Sequence, residues 1–127
     1  VFRLYYVVRR QTPPHKLTLS QGAALSRIVT AGSLRMGELA AAEEVRLPTM
    51  TELVARLERE GLARRAPDPQ DRRVVLVEAT DQGRLLYADL VTAREEFLRE
   101  RLARLSREDR AAIEAALPAL NRMLDLD

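Results

Sequence analysis

Cysteine does not occur anywhere in these 127 residues. Its absence excludes a disulfide framework, a thiolate zinc site, a cysteine nucleophile and a thiol redox switch. Histidine occurs once, as His15, so a histidine-based catalytic or metal cluster within one chain is not expected. No apolar run approaches the roughly 20 residues that a membrane-spanning helix requires. The charged start, apolar stretch and small-residue cleavage site of a secretory signal are also missing. These absences point to a cytoplasmic protein with no membrane partner, no metal, no cofactor and no catalytic residues. Val1 is not a start methionine, which leaves room for residues ahead of it.

The 127 residues suit one domain, or a small core with helical extensions that need a partner surface. A hydrophobic fraction of 46% is that of an ordinary folded chain. The net charge of +2 says little by itself, but its distribution is uneven. Residues 1–37 carry Arg3, Arg9, Arg10, Lys16, Arg27 and Arg35 and no acid, whereas all 19 acidic residues lie in 38–127. Lys16 is the single lysine, so the basic side chains are otherwise arginine. Arginine suits phosphate forks, and genome composition also favours it.

Along the chain, residues 1–11 read as a helix, although a short β-branched run also suits a strand. Tandem prolines at 13 and 14 break it. Thr18 and Gln21 form a capping-box pattern opening a helix through Leu25, Ile28 and Val29 to a Gly32 stop. A short alanine-rich helix follows, about Met36 to Glu44, with Leu39 and Ala40 inward. The next spans about Pro48 to Glu60 with Met50, Leu53, Val54 and Leu57 as its apolar stripe, and Gly61 ends it. Leu62–Arg65 and Val74–Ala79 read as strands joined by a turn-rich loop, residues 66–71. Thr80 caps a further helix carrying Leu85, Leu86, Leu90, Phe97, Leu98 and Leu102. Ser106 caps the last, lined by Ile113, Leu117, Leu120 and Leu124, with Pro118 expected to kink it or end its first half. The glutamates at 43–44 and 95–96 are sequence neighbours that do not face each other on a helix, so they read as solvated faces rather than acid–base pairs.

The most informative stretch is Leu47 to Thr80, LPTMTELVARLEREGLARRAPDPQDRRVVLVEAT. Helix, strand, basic loop and strand in that order suit a winged helix-turn-helix, in which one helix enters the DNA major groove and a hairpin tip reaches the flank. The fold class is therefore mainly α with a small β-hairpin wing: a winged helix-turn-helix core with N- and C-terminal helical regions whose amphipathic faces suit a dimer interface.

The residues LTLSQ at 17–21, GELA at 37–40, PTMTELVARLEREGLARR at 48–65, DPQDRR at 68–73 and the Thr80–Gly83 helix start are weak markers singly. In this order and spacing the chain resembles the MarR family of bacterial transcriptional regulators. The resemblance implies a single domain over 1–127, with a core at about 19–83 and dimerisation helices at 1–16 and 84–127. It implies a homodimer on a palindromic double-stranded DNA operator, released by a small aromatic or anionic effector bound between the dimerisation and DNA-binding lobes. Departures from the family pattern are Arg35 and Arg46 where a Ser or Thr cap is frequent, Glu44 where a glycine is common, Glu52 for a frequent arginine, and Ala79 for a leucine.

The expected DNA-binding residues are Pro48, Thr49, Thr51, Glu52, Arg56, Asp71, Arg72 and Arg73. Thr49 and Thr51 can reach phosphate or a thymine methyl, or simply cap their helix. Glu52 can accept from a cytosine amino group or pair with Arg56 in the acid-first i,i+4 order. Arg73 matches the arginine of the family's Asp-x-Arg motif, so Asp71 is expected to orient it towards a narrow minor groove; a solvated hairpin ion pair is the plainer alternative. Arg64 and Arg65 suit strand edges or backbone phosphates. Tyr5, Tyr6 and His15 are effector candidates, set against core or dimer packing for the tyrosines and a solvated loop for the histidine. The rival readings are a winged-helix protein-interaction module and a non-specific architectural DNA-binding protein. An enzyme is disfavoured, because the chain offers no nucleophile–base pair, metal ligand set or phosphate loop.

Overall fold

Thr18 closes a reciprocal capping box with Gln21: its hydroxyl accepts the Gln21 N–H at 3.2 Å, and Gln21 Oε1 accepts the Thr18 N–H at 2.8 Å. That box starts helix α1, Leu19–Ala31, which stops at Gly32 (φ 83°). A short strand β1, Ser33–Arg35, leads into helix α2, Met36–Ala42, and then helix α3, Leu47–Arg59. Strands β2, Ala63–Pro67, and β3, Val75–Ala79, make a hairpin. Helix α4, Asp81–Ala103, and helix α5, Arg107–Leu124, complete the order. The computed structural model describes Arg3, Leu4, Val7 and residues 17–125.

The described residues form two compact units parted between Thr92 and Ala93, within helix α4. The first holds α1 to β3 and the start of α4. Its core is made where the apolar stripes of α1, α2 and α3 meet the inner face of the sheet. Leu25, Ile28, Leu39, Met50, Val54, Leu57 and Val77 are fully buried there. Each such burial stabilises by about 1.5–3 kcal/mol relative to exposure. Leu53, expected in the α3 stripe, is only half-buried and packs against the core edge.

Helices α2 and α3 end in the same hydrogen-bond pattern. After α3, the Leu62 N–H donates to the Leu57 carbonyl and the Gly61 N–H to the Glu58 carbonyl, both at 2.9 Å. After α2, the Val45 N–H donates to Ala40 at 3.0 Å and the Glu44 N–H to Ala41 at 3.1 Å. This is the Schellman arrangement, which needs a left-handed residue just past the helix. Gly61 supplies it at φ 72°, whereas the α2–α3 turn uses Glu44 at φ 54°.

Three findings correct or extend the sequence reading. The sheet has three strands in the order β1-β3-β2, because Ser33–Arg35 pairs antiparallel with Leu76–Glu78. Three residues are too few for alternation to register in a sequence. Strand β2 runs on to Pro67, expected in the loop; β2 is an edge strand, where a proline's missing N–H is tolerated. Pro118 lies inside helix α5 and does not end it. That helix buries none of its residues, so the Glu114 carbonyl left without a donor can be met by water.

The second unit holds Ala93–Asp125 with Arg3, Leu4 and Val7. Ser106 caps α5 by accepting the Asp109 N–H at 3.0 Å. Leu98, Leu102, Leu105, Ile113, Leu117 and Leu120 are exposed, and the Arg101 guanidinium lies 5.1 Å above the Phe97 ring. The expected N-terminal helix is described only at Arg3, Leu4 and Val7, all helical. Tyr5, Tyr6 and His15 lie outside the described residues.

Candidate nucleic-acid interface

Helix α3 buries Met50, Val54 and Leu57 and leaves the opposite side of its first two turns in solvent. Pro48 sits in the first turn, where its lack of an N–H costs no intrahelical bond. Pro48, Thr49, Glu52 and Arg56 are exposed, and Thr51 is half-buried. The Thr51 hydroxyl donates to the Leu47 carbonyl at 2.9 Å, which leaves its lone pairs free to accept. Glu52 and Arg56 form the expected i,i+4 pair at 2.9 Å. Both side chains are more than half exposed, so the pair is screened and easily exchanged for another partner.

The hairpin tip is a four-residue turn, Asp71 to Val74, closed by the Val74 N–H on the Asp71 carbonyl at 2.9 Å. Arg72 and Arg73 occupy its two central positions. The Asp71 carboxylate accepts three hydrogen bonds from Arg73: its backbone N–H at 3.1 Å, Nε at 3.0 Å and Nη2 at 3.2 Å. Those bonds from the Arg73 side chain and backbone hold the Asp71 carboxyl below its usual value, with Arg35 adding to the effect. Asp71 does orient Arg73, as expected, and leaves it 91% exposed. Arg72 is exposed and has no ion pair among the described residues.

Two contacts that tie the hairpin to the helices escaped the sequence reading. Arg65 on β2 lies 3.1 Å from the Glu58 carboxylate of α3, donates its backbone N–H to the same carboxylate at 3.1 Å, and donates Nη2 to the Thr51 carbonyl at 3.3 Å. Arg35, at the start of α2, does not cap that helix with its side chain. Its backbone N–H is met by Glu38 at 3.1 Å, and its guanidinium lies 3.6 Å from Asp68 at the base of the hairpin. The unusual residue at a cap position was the available signal. Arg64, by contrast, serves the strand edge as expected, pairing at 3.0 Å with Glu78, its register partner on β3.

Between these contacts runs a shallow groove of about 560 Å³, lined by Arg35, Met36, Leu47, Thr51, Arg65 and Val75 among others. The expected site residues thus gather as an exposed helix face and an exposed arginine tip on one unit. Among the described residues no group of acids or histidine could hold a metal ion. No described helix is long and apolar enough to cross a membrane.

A tri-helical core, a three-stranded sheet and a projecting arginine-tipped hairpin define a winged helix-turn-helix protein. Residues 17–75 match the MarR family profile. The chain is 38% identical to an HTH-type transcriptional regulator of Mycobacterium bovis over 98% of this chain and 87% of that one. It is 30% identical to the HTH-type transcriptional repressor NicR of Pseudomonas putida, over 95% and 75% of the two chains. A MarR family protein of Bacillus stearothermophilus superposes with a TM-score of 0.82 at 27% identity, over 97% and 86% of the chains. The chain belongs to the MarR family, whose members are transcriptional regulators and not enzymes.

Proposed function

We propose that this protein is a cytoplasmic bacterial repressor that binds a palindromic operator as a homodimer and leaves it when a small aromatic or anionic effector binds. The observation that carries the reading is the wing tip. An arginine held to one carboxylate by two hydrogen bonds from its guanidinium and one from its backbone N–H, yet with its side chain left 91% exposed, contributes little to its own fold, since exposed ion pairs are worth little. Its preorganised fork suits an electronegative minor groove.

In this reading Pro48, Thr49, Thr51, Glu52 and Arg56 of α3 address the major groove, and Arg72 and Arg73, set by Asp71, address the flank. Helix α5 supports a dimer: its leucines and Ile113 are exposed, and a helix with an unburied apolar face needs a partner. The N-terminal segment and residues 84–127 are the proposed dimerisation region, with Tyr5, Tyr6 and His15 as effector contacts. The NicR relative is a transcriptional repressor.

Selection of duplexes from a random-sequence pool by the purified protein tests this. Enrichment of an inverted repeat with half-sites about 10 bp apart, bound by two chains per duplex in sedimentation, is expected. Recovery of random sequence alone would contradict it.

A further inference from the structure

Asp68 is the most buried acidic side chain in the ion pairs of the described residues, only 11% exposed, yet it lies at the root of a solvent-facing hairpin. A carboxylate so placed must be satisfied locally. One oxygen accepts the Gln70 N–H at 2.8 Å, and the other faces the Arg35 guanidinium at 3.6 Å. The Asp68 backbone N–H donates to the Val74 carbonyl at 2.9 Å, which closes the loop from its other side. Asp68 therefore joins both strands' ends, the loop between them and, through Arg35, the start of α2.

Arg35 is fixed at its own end as well. Leu34 and Arg35 pair with Val77 and Leu76 of β3, and Glu38 holds the Arg35 N–H. Its side chain cannot accept from the first turn of α2 as a serine or threonine would. The cap function is given up, and the guanidinium reaches the hairpin instead. Its charge is also felt at Asp71, the carboxylate that holds Arg73.

We propose that Arg35 is a positioning residue for the wing: through Asp68 it fixes the hairpin against the helix-turn-helix, so that Arg73 is presented at a set angle to the duplex that α3 reads. This rests on the reading of α3 and the wing as a DNA interface. Arg35 acts through Arg73 and makes no phosphate contact of its own.

A double-mutant cycle tests it, with the duplex that the wild-type protein selects from a random pool as the probe. R35A, D68N, R73A and the R35A/R73A pair are compared by fluorescence anisotropy over a salt series, and thermal melts establish that each is folded. Asp68→Asn keeps an acceptor for the Gln70 N–H and removes only the charge. The expected result is a loss of about tenfold or more for R73A, a smaller loss of about three- to tenfold for both R35A and D68N, and no further loss when R35A is added to R73A. The salt slope in the R73A background should not change when Arg35 is removed. Losses that multiply in the pair, with the slope falling by about one more, would show Arg35 meeting phosphate directly and overturn the inference while leaving the interface intact. Wild-type affinity for R35A and D68N, alongside a weakened R73A, would overturn it equally. An R73A protein that binds as tightly as wild type would remove the wing interface itself, and the inference with it.

Discussion

Asp71 and Arg73 form a closed unit at the hairpin tip, with one carboxylate accepting both the side-chain and the backbone donors of the residue two positions on. The carboxylate spends its acceptors on orientation, and the guanidinium remains exposed. Arg73→Ala should weaken binding to a selected duplex by about 1–3 kcal/mol while leaving the thermal midpoint unchanged, because the side chain covers almost nothing. Anisotropy titration and a melting curve on the same preparation check both halves.

The same pair sets a pH expectation. Arg73 lowers the Asp71 carboxyl below its ordinary value of about 3.9. A group whose folded pKa is depressed contributes stability that is present above the unfolded pKa and lost as pH falls through the folded one. The wing should therefore hold its geometry unchanged across neutral and mildly acidic pH, loosening only in strong acid. A carboxyl-carbon NMR titration should place Asp71 below the ordinary aspartate value and return it towards that value in R73A. An unchanged Asp71 in that variant would contradict the contact.

Glu44 carries the left-handed turn between α2 and α3 at φ 54°, in the hydrogen-bond pattern that Gly61 serves after α3. A side chain there costs roughly 1–2 kcal/mol, partly offset by the greater freedom glycine has in the unfolded chain. Glu44→Gly should stabilise the protein by about 0.5–1 kcal/mol, read as a higher midpoint in urea with an unchanged slope.

Gly83 is required for the opposite reason. A Cβ at this position would sit inside van der Waals contact with the Leu62 carbonyl oxygen, a backbone atom that cannot swing away. That carbonyl already accepts the Thr80 N–H at 3.1 Å, while the Thr80 hydroxyl donates to the Gly61 carbonyl at 2.6 Å and accepts the Gly83 N–H at 3.0 Å. The junction of α3, β2 and α4 is locked by these bonds. Gly83→Ala should cost about 3 kcal/mol or more, at the upper end for overpacking, and chemical denaturation measures it.

Helix α5 buries no residue, although Ile113, Leu117 and Leu120 stand along it. Replacing Leu117 and Leu120 with glutamate should convert a dimer to a monomer in sedimentation equilibrium and weaken operator binding at least tenfold, since half the interface is lost. A dimer that survives both changes would place the contact elsewhere.

Much of this was legible in the sequence because local rules and tertiary packing agree. The Thr18–Gln21 box, the Met50–Val54–Leu57 stripe, the Gly61 stop and the Thr80 start are each set by a few neighbouring residues, and the structure places them as read. Ser33–Arg35 was hidden because its strand character comes from β3, more than 40 positions on, and not from its own composition. The Arg35–Asp68 and Arg65–Glu58 contacts were hidden for the same reason, as their partners meet only after folding. Pro118 shows the converse: a local rule against proline in a helix interior yields where the helix surface is open to water.

Hydroxyl-radical footprinting of the selected duplex, with wild-type protein and R73A side by side, tests the central claim most directly. Two protected half-sites related by a two-fold axis, about one helical turn apart, should appear with wild type, and the outermost minor-groove protections should fade in R73A while the central ones persist. A single asymmetric footprint, or flanks that stay protected without Arg73, would contradict the account.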